Sequence, residues 1–258
     1  MELNDRQAEI MARARVEGRV LVDDLASSFD VTTQTIRRDL NELSREGLLT
    51  RVHGGAVLAT SVANLDYTER RALALDAKRA IGERAAAMIP EGCSVILNIG
   101  TTTEQVAHAL RDRRDLVVVT NNINVVNILA GSQKKEIILA GGMVRQSDGA
   151  IVGDEAVDFI RKFKVDYAVI GCSSLDVDGS IMDFDMREVA VARAIVANAR
   201  RTILACDHHK FERSAPVRIC SVADIDVIVT DRAPPAAFAQ VCAQNKVEIQ
   251  VAEGADDD

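Results

Sequence analysis

Tryptophan is absent from this 258-residue chain, and six Phe and two Tyr supply all of its aromatic rings. Any core must therefore be aliphatic. No apolar run approaches the ~20 residues of a membrane-spanning helix, so no membrane partner is expected. The opening stretch MELNDRQAEI is polar, which argues against a secretory signal peptide. The five cysteines, Cys93, Cys172, Cys206, Cys220 and Cys242, are widely spaced with no CxxC pair. They read as buried thiols of a reducing cytoplasm. Neither the spaced-glycine dinucleotide fingerprint nor the lysine-containing P-loop occurs, which disfavours nucleotide binding. Internal repeats and low-complexity blocks are also missing. No cofactor is expected.

Basic residues are also outnumbered, 31 Lys plus Arg against 39 Asp plus Glu. The formal net charge is -8, awkward for a nucleic-acid binder. Residues 1–58 hold eight Arg against ten Asp plus Glu. The basic charge that exists is local: Arg37, Arg38, Arg45, Arg51 and His53 follow one another, while Asp23, Asp24 and Asp30 cluster earlier. A local patch is enough for docking on phosphates.

The segment VTTQTIRRDLNEL, Val31 to Leu43, is the most informative one present. On a helix turning roughly 100° per residue, Ile36, Leu40 and Leu43 make a narrow apolar stripe. Gln34, Arg37, Arg38, Asn41 and Arg45 crowd the opposite face. Such a face suits a DNA major groove, because Arg bonds guanine through two donors, and Gln or Asn bonds adenine with a donor and an acceptor. Upstream, residues 4 to 15 read as a helix broken by Gly18. Val22, Leu25, Ala26 and Phe29 mark a second helix, poorly capped at Leu21 and helped by Asp23 and Asp24. Thr32 is a good N-cap for the third helix, and Glu46-Gly47 ends it. Leu48 to Leu58 reads as a hairpin around His53-Gly54-Gly55. The whole is a winged helix-turn-helix. Its candidate DNA-binding residues are Thr33, Gln34, Thr35, Arg37 and Arg38 on the third helix, with Arg51 and His53 on the wing.

The domains expected are 1–58, a linker over 59–75 that becomes helical, 76–254, and a disordered tail over 255–258. Over 76–254, short aliphatic runs (SVILNIG, LVVVTNN, EIILAGG, DYAVIGC, RTILACD, DVIVTD, VEIQVA) alternate with helical patterns such as 103–110, 123–129 and 187–198. That pattern means an α/β domain with a mostly parallel sheet covered on both faces.

Ligands of such sheets bind beyond the carboxyl ends of the strands. Those ends carry Gly100-Thr101-Thr102 before a helix, then Asn121-Asn122, Gly141-Gly142, and Asp207-His208-His209-Lys210. A helix start with Gly and hydroxyls suits phosphate, Asn and Asp suit hydroxyls, and Lys210 balances charge. A phosphorylated polyol fits this set. The plainer readings are that His208-His209 serves at the surface or behind the site rather than as a metal pair, that Glu69-Arg70-Arg71 is a solvated helix face, and that His108 is structural. No metal site and no catalytic residue is assigned.

TIRRDLNEL followed by HGGA, with IGTTTEQVA, VVTNN, ILAGG and CDHHKF, resembles the DeoR family of bacterial transcription regulators over nearly the whole length. The resemblance implies a winged helix-turn-helix joined to an effector domain of the sugar-phosphate isomerase fold. The runs LAGGMVRQSDGAIVGDEAVDFI and GSIMDFDMREV are most similar to the branch that answers to glycerol 3-phosphate. The implied partners are double-stranded operator DNA, an effector that is a phosphorylated polyol or sugar (glycerol 3-phosphate first), and further copies of the chain in a homo-oligomer, dimer or tetramer. Two positions depart from the usual family pattern. Asn98 stands where many members carry Asp, and His209 where many carry Ser. The effector set is then Asn98, Gly100, Thr101, Thr102, Asn121, Asn122, Gly141, Gly142, Glu188 and Lys210. Two other readings stay open. One is the same kind of repressor answering to another sugar phosphate. The other is a sugar-phosphate isomerase or deaminase, with Asp183, Asp185 or Glu188 as the base that such chemistry needs.

Overall fold

The computed structural model describes residues 3–17, 19–52, 54–58, 67–132 and 134–252. Gly18 as a helix breaker, His53 on the wing, the first part of the linker (59–66) and the tail (255–258) lie outside the described residues. The chain forms two compact units, Met1–Ala63 and Asn64–Asp258.

In the first unit, α1 (Asp5–Glu17), β1 (Arg19–Leu21), α2 (Val22–Phe29) and α3 (Thr33–Arg45) lead to β2 (Leu49–Val52) and β3 (Gly55–Leu58). Their apolar stripes converge: Ile10, Met11 and Ala14 of α1 meet Val22, Leu25 and Ala26 of α2 and Ile36, Leu40 and Leu43 of α3 in one aliphatic cluster. Leu21 offers α2 no side-chain cap, whereas the Thr32 side chain accepts from Thr35 N at the start of α3. Asp30 closes the turn between them in the left-handed region, at φ 52°. The expected hairpin is wider than the sequence suggested. The three-residue β1 pairs with β3, giving a three-stranded sheet of order β1–β3–β2. Gly55 permits that approach, since a Cβ there would meet Val20 O at 2.1 Å.

The second unit opens with α4 (Tyr67–Ala72) and α5 (Leu75–Ala87). There follow β4 (Ser94–Leu97), α6 (Thr101–Ala109), β5 (Leu116–Thr120), α7 (Ile123–Leu129), β6 (Lys135–Leu139), β7 (Met143–Arg145), β8 (Ala150–Val152), α8 (Asp154–Ile160) and β9 (Val165–Ile170). The chain continues through β10 (Ser174–Leu175), β11 (Ser180–Asp183), α9 (Met186–Ala197), β12 (Ala199–Ala205), β13 (Val217–Ser221), β14 (Val227–Thr230), α10 (Ala236–Gln244) and β15 (Glu248–Val251). All seven aliphatic runs become strands of one parallel sheet, ordered β15–β14–β12–β9–β4–β5–β6. Both faces are covered. Val95 and Leu97 pack toward α5, α6 and α7, while Ile96 between them packs toward α8, α9 and α10. The fold class read from the sequence is the one adopted.

Two antiparallel additions had no counterpart in the sequence reading: the β7–β8 hairpin and a small sheet of order β10–β11–β13. Helix α6 starts at Thr101, two residues before the expected Thr103. All five cysteines are free, but only Cys206 and Cys242 are fully buried. Among the described residues no helix is long and apolar enough to cross a membrane.

Candidate functional site

Two polar regions stand out, one in each unit. On α3, burial of Ile36, Leu40 and Leu43 leaves Thr33, Gln34, Arg37, Arg38, Asn41 and Arg45 exposed. All of these but Thr33 border a concavity of about 760 Å³ that also reaches Asn4 and Arg6. Asp39, the one acid on the inner side of this helix, is buried against Arg6 (Arg6 Nε to Oδ2, 2.6 Å), which removes its charge from the outer face. Arg38 pairs with Glu42 at 3.1 Å. Arg37 has no ion pair among the described residues. Thr35 is half-buried, with its Oγ1 2.9 Å from Thr32 Oγ1. Arg51 is half-buried, and its Nη1 lacks a partner among the described residues.

In the second unit, the carboxyl ends of β5, β4, β9 and β12 lie side by side because all four strands are parallel. Gly171, after β9, shows how closely they converge: a Cβ placed there would lie 3.9 Å from Ile99 O, from Ala205 O and from Thr103 Cγ2. Gly100, at φ 140°, turns β4 into α6, and Thr103 Oγ1 fixes that turn by donating to Asn98 O and Gly100 O, both at 2.8 Å. Thr101 and Thr102 thus occupy the first helical positions, nearly buried, beside backbone N–H groups that have no partner within the helix. Asn98 and Asn121 are also buried, and the Oδ1 of each lacks a hydrogen bond among the described residues. Buried polar atoms are normally paired. Two such unpaired oxygens at neighbouring strand ends make this the candidate ligand site of the second unit. For Asn121 the amide orientation is fixed by its own bond, Nδ2 donating to Ile151 O at 3.1 Å, which leaves Oδ1 as the unpaired atom.

Charge is dense here. Arg145, carried by the hairpin, holds three carboxylates: Nε and Nη2 donate to Asp148 (2.9 and 2.6 Å), Nη1 to Asp185 (3.0 Å) and Nη2 also to Glu188 (2.8 Å). Arg70 of α4 reaches the same Asp148 at 3.5 Å. Burial, then the Asp183 carboxyl, pushes Glu188 up to about 8 against the pull of Arg145. Burial likewise raises Asp183. Burial would raise Asp207 too, but Lys210, His209 and Lys78 outweigh it and hold that carboxylate far below its usual range. Lys78, buried on α5, is lowered to about 8 by burial and donates to the carbonyls of Arg70 and Leu73.

The expected effector residues are therefore distributed unevenly. Asn98, Gly100, Thr101, Thr102, Asn121 and Lys210 belong to this edge. Asn122 sits there too, but its amide is engaged, accepting from Asn124 N and donating to Glu104 Oε1 at 3.1 Å. Glu188 reaches the site through Arg145. Gly141 and Gly142 are exposed beyond the edge strand β6, and Gly142, at φ 140°, packs beneath Ile151 of the hairpin. One plainer reading needs correction. Arg70 is not a solvated residue: its side chain is 18% exposed and paired to Asp148. His108 is an exposed residue on α6. His208 is bound to Asp231 (Nδ1 to Oδ2, 2.5 Å), and no group of side chains able to hold a metal ion occurs among the described residues.

Residues missed from the sequence are Arg70, Lys78, Arg145, Asp148 and Arg213, while Asp207 was named at its strand end without entering the effector set. Only Lys78 left a signal, since it falls on the same helical stripe as Ile81, Gly82 and Ala85.

Comparison with known proteins follows the same division. The DeoR-like helix-turn-helix domain matches residues 6–62, and the DeoR C terminal sensor domain matches residues 74–232. The glycerol-3-phosphate regulon repressor of Escherichia coli (strain K12) is 40% identical over 251 residues, 97% of this chain and 100% of that one. The HTH-type transcriptional repressor CsqR of the same organism is 37% identical over 246 residues (95% and 94%). The transcriptional repressor AccR of Agrobacterium fabrum is 38% identical over 229 residues (88% and 89%). A solved ribose 5 phosphate isomerase A from Neisseria gonorrhoeae overlaps 52% of each chain at 12% identity and a TM-score of 0.38, too slight an overlap to speak of function.

Proposed function

The chain belongs to the DeoR family of transcription regulators, and from that membership we propose that it represses a glycerol 3-phosphate or glycerol catabolic regulon and leaves its operator when glycerol 3-phosphate binds at the strand ends. The observation that carries this reading is the 40% identity to the glycerol-3-phosphate regulon repressor, sustained through both units. The α3 face supports it, because Gln34, Arg37, Arg38 and Asn41 offer the donors and acceptors that base edges require. Thr33 and Thr35 at the start of α3 and Arg51 on the wing are read as further DNA contacts. At the strand ends, phosphate would sit on Gly100, Thr101 and Thr102, where a helix start presents free N–H groups. Lys210 would balance its charge, and Asn98 and Asn121 would accept from the hydroxyls.

The relatives named are transcriptional repressors rather than enzymes. Asp185 is occupied by capping α9 and by Arg145 and Arg187, so it is unsuited to act as a free base. We take the binding species to be a homo-oligomer, since helix-turn-helix proteins commonly read paired half-sites. CsqR and AccR are nearly as similar to this chain as the glycerol-3-phosphate repressor is. With Asn98 and His209 as departures from the family pattern, they favour one second reading, the same repressor answering to another sugar phosphate.

Thermal unfolding with added ligand tests the effector. A ligand that binds only the folded chain raises its stability by mass action. Glycerol 3-phosphate is expected to raise the melting temperature, and glycerol is expected to leave it unchanged. A rise with a hexose or pentose phosphate, and none with glycerol 3-phosphate, would move the effector to that class.

A further inference from the structure

The strand-edge site has a second group of unsatisfied atoms, on the β9 and β12 side. Ser174 is fully buried on β10, and its Oγ has no partner among the described residues. Asp207, at the end of β12, is 1% exposed. Its Oδ1 lies 3.3 Å from His209 Nδ1, an ion-pair distance out of hydrogen-bonding alignment, and neither atom has a hydrogen bond among the described residues. Arg213 follows the 3-10 turn His208–Glu212, which packs against β10, and its Nη2 is buried without a hydrogen-bond partner among the described residues. Lys210 lies on the same turn.

The chemistry of these atoms is complementary. An ionised carboxylate oxygen only accepts, a guanidinium nitrogen only donates, and a serine hydroxyl does either. Arg213 and Asp207 feel each other's charge, yet no ion pair joins them, so neither satisfies the other. Leaving such atoms buried and unpaired is costly. Ordered water can serve each atom singly, whereas a molecule carrying an anionic oxygen for Arg213 and an O–H group for Asp207 serves both and also matches their charges. A neutral polyol lacks the anion. Inorganic phosphate lacks the carbon chain that would carry a hydroxyl away to a separate position.

We propose that Arg213 and Asp207, with Ser174 beside them, are specificity-determining residues of the effector site: Arg213 takes the ligand's anionic group together with Lys210, and Asp207 and Ser174 take a hydroxyl on its carbon chain. The assignment rests on the effector reading given above. It explains how one site distinguishes a hydroxyalkyl phosphate from either of its halves.

The test is calorimetric titration of the full chain with glycerol 3-phosphate and, separately, with inorganic phosphate. Arg213→Lys is expected to weaken both by about tenfold or more, the scale of a hydrogen bond to a charged group. Asp207→Asn is expected to weaken glycerol 3-phosphate by a similar factor while leaving inorganic phosphate unchanged or tighter, since a negative charge is removed. Ser174→Ala, a milder change that keeps the proposal testable should Asp207→Asn fail to fold, is expected to weaken glycerol 3-phosphate alone by about threefold. Unaltered glycerol 3-phosphate affinity in Arg213→Lys, or equal losses for both ligands in Asp207→Asn and Ser174→Ala, would overturn the assignment while the effector reading stands. If the unsubstituted chain binds neither ligand, the effector reading itself fails, and this assignment with it.

Discussion

Tyr67 Oη donates to the Glu104 carboxylate, lying 2.8 Å from Oε2 and 3.0 Å from Oε1. Tyr67 opens α4, the first described element after residues 59–66. Glu104 lies in the first turn of α6, directly behind Gly100, Thr101 and Thr102. Asn124 Nδ2 donates to both partners, at 2.9 Å to Tyr67 Oη and 3.0 Å to Glu104 Oε1. Burial, and then Glu104, raises the Tyr67 phenol, so it stays protonated and keeps donating. The segment that follows the DNA-binding unit is thereby held to the helix that would receive the phosphate.

Tyr67→Phe is therefore expected to separate ligand binding from DNA release. Effector affinity off DNA should hold within about twofold. The change in operator affinity caused by effector should shrink from a typical coupling of about 1–3 kcal/mol toward zero. Operator titrations with and without glycerol 3-phosphate measure it, and an undiminished difference would remove Tyr67 from the path.

Arg37→Ala is expected to abolish operator preference. Arg37 is exposed and has no ion pair among the described residues, whereas Arg38 is partly held by Glu42. The loss should be about 1–3 kcal/mol, that of one bidentate base contact. Binding to unrelated DNA at the same salt should fall much less, and effector affinity not at all. Competition between operator and random duplex checks it.

Lys210→Ala is expected to do the reverse. Operator binding without ligand should stay normal, while glycerol 3-phosphate should no longer release the DNA. Release at unchanged ligand concentration would place the phosphate away from Lys210.

Much of this architecture was legible in the sequence, and the rest was hidden for physical reasons. Seven aliphatic runs gave seven parallel strands because strands buried on both faces need continuous Val, Ile and Leu. The stripe of Ile36, Leu40 and Leu43 likewise fixed the outward face of α3. Strands of two to four residues, such as β1, β7 and β10, are too short for alternation to register. The ion pairs were unreadable because their partners are distant: Arg145 meets Glu188 43 residues away, and Arg70 meets Asp148 78 residues away. Asn122 looked like a ligand residue by position, yet its amide is engaged by Asn124 and Glu104. No local pattern signals such use.

Glu188 gives the protein a pH dependence with a definite sign. A carboxyl raised from 4.5 to about 8 binds its proton more tightly in the folded chain than in the unfolded one. Its contribution to stability is full below about 4.5 and is lost as pH rises through about 8. Lys78, lowered by burial to about 8, acts oppositely above that value, adding stability as pH rises from about 8 toward its ordinary range. Melting temperature measured from pH 5.5 to 8 should thus fall more steeply in the unsubstituted chain than in Glu188→Gln. Parallel curves would show that Glu188 is ionised throughout, held so by Arg145.

The most direct measurement is fluorescence anisotropy of the chain on the promoter of its own operon, at fixed salt because phosphate contacts make affinity strongly salt-dependent, with glycerol 3-phosphate titrated in. Release by glycerol 3-phosphate, and by neither glycerol nor inorganic phosphate, is the expected result. Tight binding that ignores glycerol 3-phosphate at any concentration would contradict it.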